Sequence, residues 1–320
     1  MAPDLAEIHC HGGLAAVARI CDDLRCRGAS IESSEASLRQ RVSQVDAECL
    51  LALTRTVTER TAILVAEQAS GVLRSAIESL SARLTADGDS GAGLRAAQHE
   101  IDNLLRWSHF GRHLTEPWSV VLCGEPNAGK SSLMNTLAGF TRSIVSEQPG
   151  TTRDLVTAKI ALDGWPIELS DTAGLRVAEG EIEAEGVRRA TQRLAAADLT
   201  ILLIDGSEPW SSMNDQLMRE NLDRQGLFVQ HKSDLPPAWS HESNSFLAVS
   251  SRTGMGIEEL CCAIVARLVP EVPPPGTPVP VSLPICDALL QTANALDAGA
   301  IRQAQVLITR MLTPRSADQK

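Results

Sequence analysis

Val120-Val-Leu-Cys-Gly124-Glu-Pro-Asn-Ala-Gly-Lys-Ser131 is the stretch whose reading decides the fold. Its apolar start, Val120 to Cys123, reads as a strand, and Leu133-Met-Asn-Thr-Leu137 beyond it reads as a helix. Between them Gly-x4-Gly-Lys-Ser is the Walker A spacing in the strand-loop-helix setting that gives it meaning. In that setting the backbone N–H groups of Asn127, Ala128, Gly129, Lys130, Ser131 and Ser132 wrap a phosphate at a helix start. Lys130 reaches the β and γ oxygens, and the Ser131 hydroxyl faces Mg²⁺.

Further along, Pro149-Gly-Thr-Thr-Arg-Asp154 places hydroxyls ahead of a strand, as a switch closing on γ-phosphate and Mg²⁺ requires. Of its two threonines, Thr151 and Thr152, Thr152 is the expected second Mg²⁺ ligand. Asp171-Thr-Ala-Gly174 follows the strand at Ile167. It puts the Asp171 carboxylate behind a metal-bound water and the Gly174 amide at the γ-phosphate. His231-Lys232-Ser-Asp234 ends another strand, where the Asp234 carboxylate can take both N1–H and N2–H of guanine. Adenine lacks that donor pair, so Asp234 is read as the specificity residue. Ser250-Ser251-Arg252 ends the last strand and can offer the Ser251 N–H to guanine O6.

Around these motifs short apolar runs alternate with helical segments: Leu155 to Leu162, Ile167 to Leu169, Leu199 to Ile204, Leu227 to Val229 and Phe246 to Val249. This pattern predicts an α/β fold with a mostly parallel sheet covered on both faces. Asp163-Gly164 is a hairpin signal and predicts one antiparallel edge strand. Upstream, Val45 to Leu84 and Leu94 to Leu105 carry apolar residues at helical spacing, read as a long helical hairpin broken at residues 86–93. Pro270 to Pro280 is too proline-rich for a helix or an inner strand and reads as a linker. A short helical hairpin turning at Asp297-Ala-Gly299 follows. The expected organisation is an α/β domain over 117–270 inserted in a discontinuous α-helical domain, whose parts are 31–116 and 283–320, with residues 271–282 as linker.

A net charge of -11 over 320 residues argues against a surface that is one field for nucleic acid, so RNA contact would need a local patch or a partner. The eight cysteines have no Cys-x-x-Cys pair and no disulfide spacing, and read as reduced cytosolic thiols. His9-Cys10-His11 has metal-ligand residue types, but adjacent side chains diverge, and no metal is expected there. No apolar run approaches the roughly 20 residues a membrane helix needs, and no leader is visible, so a cytoplasmic protein is expected.

The stretches Gly-Glu-Pro-Asn-Ala-Gly-Lys-Ser-Ser-Leu, Pro-Gly-Thr-Thr-Arg-Asp, Asp-Thr-Ala-Gly-Leu-Arg and Ser-Ser-Arg-Thr-Gly together resemble the G domain of the MnmE/TrmE family, the tRNA wobble-uridine modification GTPases. Glu7-Ile-His-Cys-His-Gly-Gly13 is similar to the end of that family's N-terminal folate-binding domain, and Val45 to Leu80 to the start of its helical domain. The resemblance implies GTP and GDP binding with Mg²⁺. It also implies hydrolysis assisted by K⁺, with Asn127, Ser146, Gln148 and Thr151 as the potassium set. Glu183 is implied as the residue that orients the attacking water through a second one, while Lys130, Thr152 and Gly174 serve the γ-phosphate. Leu175 agrees with this, since it stands where Ras-type switches carry a water-orienting glutamine and cannot hydrogen-bond water. Pairing of two G domains, an FAD-dependent partner of the GidA/MnmG type and tRNA are the implied partners.

Three departures qualify the resemblance. Residues 1–30 would be only a remnant of the folate domain; Glu7 and Arg41 stand at its site positions, but half a pocket predicts no tight folate binding. The chain ends Met311-Leu-Thr-Pro-Arg-Ser-Ala-Asp-Gln-Lys320 without the family's Phe-Cys-Ile-Gly-Lys motif, so it reads as a truncated or divergent member. His231 replaces the Asn of Asn-Lys-x-Asp, which predicts a lost tie between base loop and phosphate loop and weaker nucleotide affinity. Two other readings stay open: a GTPase switch without tRNA chemistry, as in Era-like and Der-like proteins, and a GTP-binding dimerising scaffold with little hydrolysis.

Overall fold

A computed structural model of the chain describes residues 8–87, 91–140, 157–171, 196–222, 226–240 and 246–314. Six strands form one sheet: β1 (Trp118–Gly124), β2 (Thr157–Leu162), β3 (Trp165–Asp171), β4 (Leu199–Asp205), β5 (Leu227–His231) and β6 (Phe246–Ala248). Their spatial order is β2-β3-β1-β4-β5-β6. All neighbours are parallel except β2 and β3. At the β2–β3 turn Asp163 and Gly164 have φ of 47° and 76°, the pair of left-handed residues that a tight two-residue hairpin demands. The predicted antiparallel edge is therefore present. β4 is buried from Leu199 to Ile204, as a central parallel strand covered on both faces must be.

Among the described residues seven helices precede the sheet: α1 (Leu14–Arg25), α2 (Ser34–Arg41), α3 (Gln44–Arg55), α4 (Glu59–Ala69), α5 (Val72–Asp87), α6 (Gly91–Arg106) and α7 (Ser108–Arg112). Within and after it lie α8 (Lys130–Phe140), α9 (Ser212–Leu222), α10 (Ile257–Leu268), α11 (Leu283–Asp297) and α12 (Ile301–Leu312). The stretch Val45 to Leu84 is not one long arm of a hairpin but three helices. Thr58 starts α4 by accepting the Thr61 N–H on its side chain, and Gly71, at φ 114°, turns the chain before α5. α3 pairs with α4, and α5 with α6 across the glycine-rich break.

The last two helices pack back on the first part of the chain, α12 on α5 and α11 on α6. Ala304, Ile308 and Met311 share one buried cluster with Ile77 and Leu80. The Gln305 side-chain N–H donates to the Leu84 carbonyl at 2.9 Å. The proline-rich segment before them is strapped down rather than loose. Gln68 donates to the Thr277 carbonyl and accepts from the Val279 N–H, both at 3.0 Å, and Val279 and Val281 are buried. Gly111 is obligatory under this strap, because a Cβ there would stand 1.9 Å from the Pro280 carbonyl oxygen. Arg60 of α4 joins helices to sheet: it donates to the Asp163 carbonyl at 2.7 Å and lies 4.4 Å from the Trp165 ring centroid. Among the described residues no helix is long and apolar enough to cross a membrane.

Ile308, fully buried, faces helices more than two hundred residues earlier in the chain. Ile308→Ala is expected to lower unfolding stability by about 2–5 kcal/mol in urea titrations. Half-exposed Val306 on the same helix is the control, with a change within about 0.5 kcal/mol expected.

Candidate nucleotide site

The C-terminal ends of β1, β3, β4 and β5 meet at a cleft of about 770 Å³, the place where open parallel sheets take ligands. Its floor is the turn from β1 into α8. Gly124 leaves the sheet at φ 149°, and a Cβ there would lie 2.3 Å from the Leu203 carbonyl oxygen. Asn127 at φ 65° and Gly129 at φ 97° continue the turn in left-handed conformations. A non-glycine residue held at positive φ is a strained choice in keeping with a functional loop. Lys130, almost wholly buried, folds back so that Nζ donates to the carbonyls of Gly124 at 3.1 Å and Glu125 at 2.8 Å. These bonds stretch the ammonium across the loop mouth.

Next to it the Ser131 hydroxyl donates to Asp171 Oδ2 at 2.9 Å. A hydroxyl and a buried carboxylate side by side are hard oxygen donors of the kind that Mg²⁺ takes, and the residues present therefore fit that ion.

The far end of the cleft is the base end. Buried Ser250 donates its hydroxyl to Asp234 Oδ1 at 2.6 Å, while its oxygen accepts the N–H groups of Arg252 and Thr253. The Ser250 bond holds the Asp234 carboxyl below its usual range, so it is ionised and aimed. Arg252, mostly exposed, pairs with Asp234 Oδ2 at 3.1 Å. A side chain that exposed can turn aside, and each carboxylate oxygen has a second lone pair for a base.

His231 joins the two ends. Its Nδ1 lies 2.8 Å from the Ala128 carbonyl oxygen and its Nε2 2.7 Å from Ser251 Oγ. A carbonyl only accepts, so Nδ1 carries the proton; Nε2 of the neutral ring then accepts from the Ser251 hydroxyl. Burial lowers the His231 pKa, against the opposing bond to Ala128, and favours that neutral form. The ring also packs on Gly129, where a Cβ would come within 2.3 Å of it. The tie expected to be lost with the asparagine is thus made by the imidazole, and the reason for expecting weaker affinity falls away.

Thirteen residues singled out in the sequence lie here in described structure. Asn127, Ala128, Gly129, Lys130, Ser131 and Ser132 form the phosphate loop and helix start, with Asp171 beside them. His231, Lys232, Asp234, Ser250, Ser251 and Arg252 form the base end. Ser146, Gln148, Thr151, Thr152, Gly174, Leu175 and Glu183, like Glu7, lie outside the described residues. Arg41 closes α2, which has no buried residue.

Two contributors went unread. Asp205, at the end of β4, accepts from Lys232 Nζ at 2.5 Å. Burial would raise its carboxyl, but Lys232 and Ser207 outweigh that and hold it below the usual range. Lys232 itself sits at φ 58°, so this bond fixes a left-handed turn. Thr136 of α8 donates to the Ser132 carbonyl at 2.9 Å and reaches the Ser251 carbonyl at 3.4 Å. An Asp closing a buried strand, Leu-Leu-Ile-Asp-Gly, was the available signal for the first; the second had none.

Residues 119–231 match the family model described as a 50S ribosome-binding GTPase. The tRNA modification GTPase MnmE of Geobacter metallireducens is 33% identical over 295 residues, covering 83% of this chain and 65% of that protein. Its counterpart from Rhizobium meliloti is 32% identical over 326 residues, covering 93% of this chain and 73% of that one. The chain thus spans just under two thirds of the length of the Geobacter relative. Among solved structures, the G domain of the T. maritima FeoB iron transporter is similar to 48% of this chain at 29% identity, with 99% of that domain covered and a TM-score of 0.37. With 93% of its length aligned to nearly three quarters of the Rhizobium protein, the chain belongs to the MnmE/TrmE family of tRNA modification GTPases.

Proposed function

We propose that this chain binds GTP with Mg²⁺ and hydrolyses it in the cytosol, in support of tRNA wobble-uridine modification. The observation that carries the reading is one cleft with a phosphate end and a guanine end, tied together through His231. Lys130 and the N–H groups opening α8 take the β and γ phosphates. Ser131 and Asp171 would hold Mg²⁺, which when bound offsets charge developing on the phosphate oxygens. Asp234 takes the guanine N1–H and N2–H, with Ser250 keeping it ionised and aimed.

Thr152, Gly174 and Glu183 complete the site in this reading: Thr152 at the metal, Gly174 at the γ-phosphate, and Glu183 turning a water toward it. Leu175 cannot do that last task, which is why a glutamate is needed. Asn127 in its left-handed turn, with Ser146, Gln148 and Thr151, would hold K⁺ as two G domains pair. The substrate RNA and an FAD-dependent partner of the GidA/MnmG type complete the reading. The description of the matched family model favours a second one, a GTPase switch acting at the ribosome. Deleting the gene separates them: wobble-uridine modification is lost under the first and kept under the second.

Asp234→Asn is expected to weaken GTP binding by at least tenfold and to improve binding of a xanthine nucleotide, whose C2 carbonyl accepts where guanine donates. Ser250→Ala, which removes the orienting bond, should cost about 1 kcal/mol of GTP affinity by calorimetry. Turnover should be faster in KCl than in NaCl and fall further in Glu183→Ala; equal rates in both salts would refute the potassium assignment.

His231 supplies a pH signature. Its folded pKa is lowered, so between that value and the ordinary 6.5 the unfolded chain binds the extra proton. Stability from His231 is therefore full above 6.5 and declines as pH falls below it. The urea midpoint of wild type relative to His231→Asn should drop on acidification through that window and stay flat above it.

A further inference from the structure

At the end of the sheet opposite the nucleotide cleft, where β1 and β4 begin, His109 and His113 of the α7 region meet Asp198, which precedes β4. Strands of this length put the two ends of the sheet roughly 20 Å apart, so nothing here belongs to the nucleotide site. Each of the three residues offers one ligand atom, and these atoms lie within 4.8 Å of one another. Both imidazoles approach the same carboxylate oxygen: His113 Nε2 is 3.3 Å and His109 Nε2 4.0 Å from Asp198 Oδ1. The other oxygen, Oδ2, is taken by the Ser119 N–H at 2.7 Å. Oδ1 is thereby left facing the two rings.

The protonation of His113 makes this arrangement informative. Its Nδ1 lies 3.2 Å from the Glu116 carbonyl oxygen, which can only accept, so Nδ1 bears the proton. Nε2 is then the ring atom turned toward Asp198 and His109. That atom is buried and stands 3.3 Å from the carboxylate without the geometry of a full hydrogen bond. An imidazole Nε2 and a carboxylate oxygen this close call for a positive charge between them, a proton or a metal ion. A proton shared between Nε2 and Asp198 answers for only two of the three groups and leaves the His109 nitrogen, 4.0 Å from Oδ1, outside the arrangement. A cation bound by Nε2, Oδ1 and the His109 nitrogen would satisfy all three.

We propose that His109, His113 and Asp198 form a site for a late first-row divalent metal ion, Zn²⁺ above all, with a fourth position open on the exposed His109 side. Zinc bonds of about 2.0–2.1 Å in tetrahedral geometry set ligand atoms roughly 3.4 Å apart. The His113–Asp198 spacing already matches, and His109, two-thirds exposed, is free to close its longer gap. The outer contacts are those of a built site. The Glu116 carbonyl orients His113, the Ser119 amide orients Asp198, and Trp118 stacks on the His113 ring at 3.7 Å and 15°. The neighbouring Arg112 is engaged with Glu116 at 2.7 Å. The ion would clamp the last helix before β1 to the start of β4.

The test is calorimetric titration of the full chain, stripped with chelator, with Zn²⁺ alone. A His9→Ala, Cys10→Ser, His11→Ala background removes the exposed tract near the N-terminus. One saturable equivalent is expected, together with a raised melting temperature. Binding should weaken at least tenfold in His109→Ala, whose exposed side chain is dispensable for folding, and in Asp198→Asn, which keeps an acceptor for Ser119. Co²⁺ in place of zinc should give a tetrahedral visible spectrum without a thiolate charge-transfer band, which separates this site from any cysteine site. Absence of saturable binding, an equivalent that survives in both variants, or a cobalt spectrum with thiolate character would each overturn the assignment.

Discussion

The contact between His231 and the loop at Ala128 and Gly129 is what the nucleotide cleft depends on. β5 and β1 are separated in the sheet by β4, so the base end and the phosphate end have no shared ladder to set their distance. One neutral imidazole sets it instead, donating to the Ala128 carbonyl and accepting from Ser251. The ring lies flush with Gly129, where any side chain would collide with it. Ser251 is in turn within reach of Thr136 on α8, so the helix that starts at the phosphates also steadies the loop that meets the base. Loops that share a buried polar tie move as a unit or lose several bonds at once.

The phosphate loop, the Asp171 carboxylate and Asp234 were legible because each motif pairs a chemical requirement with a spacing and a strand end. The β2–β3 hairpin was equally plain, since Asp163-Gly164 demands two left-handed residues and little else does. His231 shows where such reading stops. A motif position predicts a role for one residue type, whereas the imidazole fills the role with different atoms, a fact that depends on a 2.8 Å contact across 103 residues. The break of the Val45 to Leu84 stretch into α3, α4 and α5 was missed for a related reason. Apolar periodicity runs on through Thr56–Thr58 and Ser70-Gly71, and only a cap at Thr58 and the φ of Gly71 interrupt it. The His109, His113 and Asp198 cluster carried no usable signal. Its members are His109 in α7, His113 just past the end of that helix, and Asp198 just ahead of β4, far along the chain, and a His-x3-His pair is an unremarkable pattern by itself.

The helices and the sheet are not independent bodies joined by a tether. Arg60 grips the β2–β3 hairpin, Gly111 admits the Pro280 carbonyl, and Gln68 holds the strap from both sides. The proline-rich composition of that strap gives it stiffness, since fixed φ angles leave little entropy to lose when it docks. Its two buried valines then supply the apolar contact.

A net charge of -11 sits oddly with a cleft for a polyanion until distance is considered. At physiological ionic strength a charge is largely screened beyond about 8 Å, so acidic residues elsewhere on the surface barely oppose a phosphate in the loop. What the phosphate meets is local: Lys130 stretched over the loop mouth and the N–H groups at the start of α8. Among the described residues the acids of the loops around the cleft are engaged, Glu125 with Ser211, Asp171 with Ser131, Asp205 with Lys232 and Asp234 with Ser250 and Arg252. The same reasoning applies with opposite result to RNA. A long anion extends well past one screening length, so it senses the overall acidity that a single nucleotide escapes. Any RNA bound by this chain must therefore be met by a local basic patch or by a partner's surface.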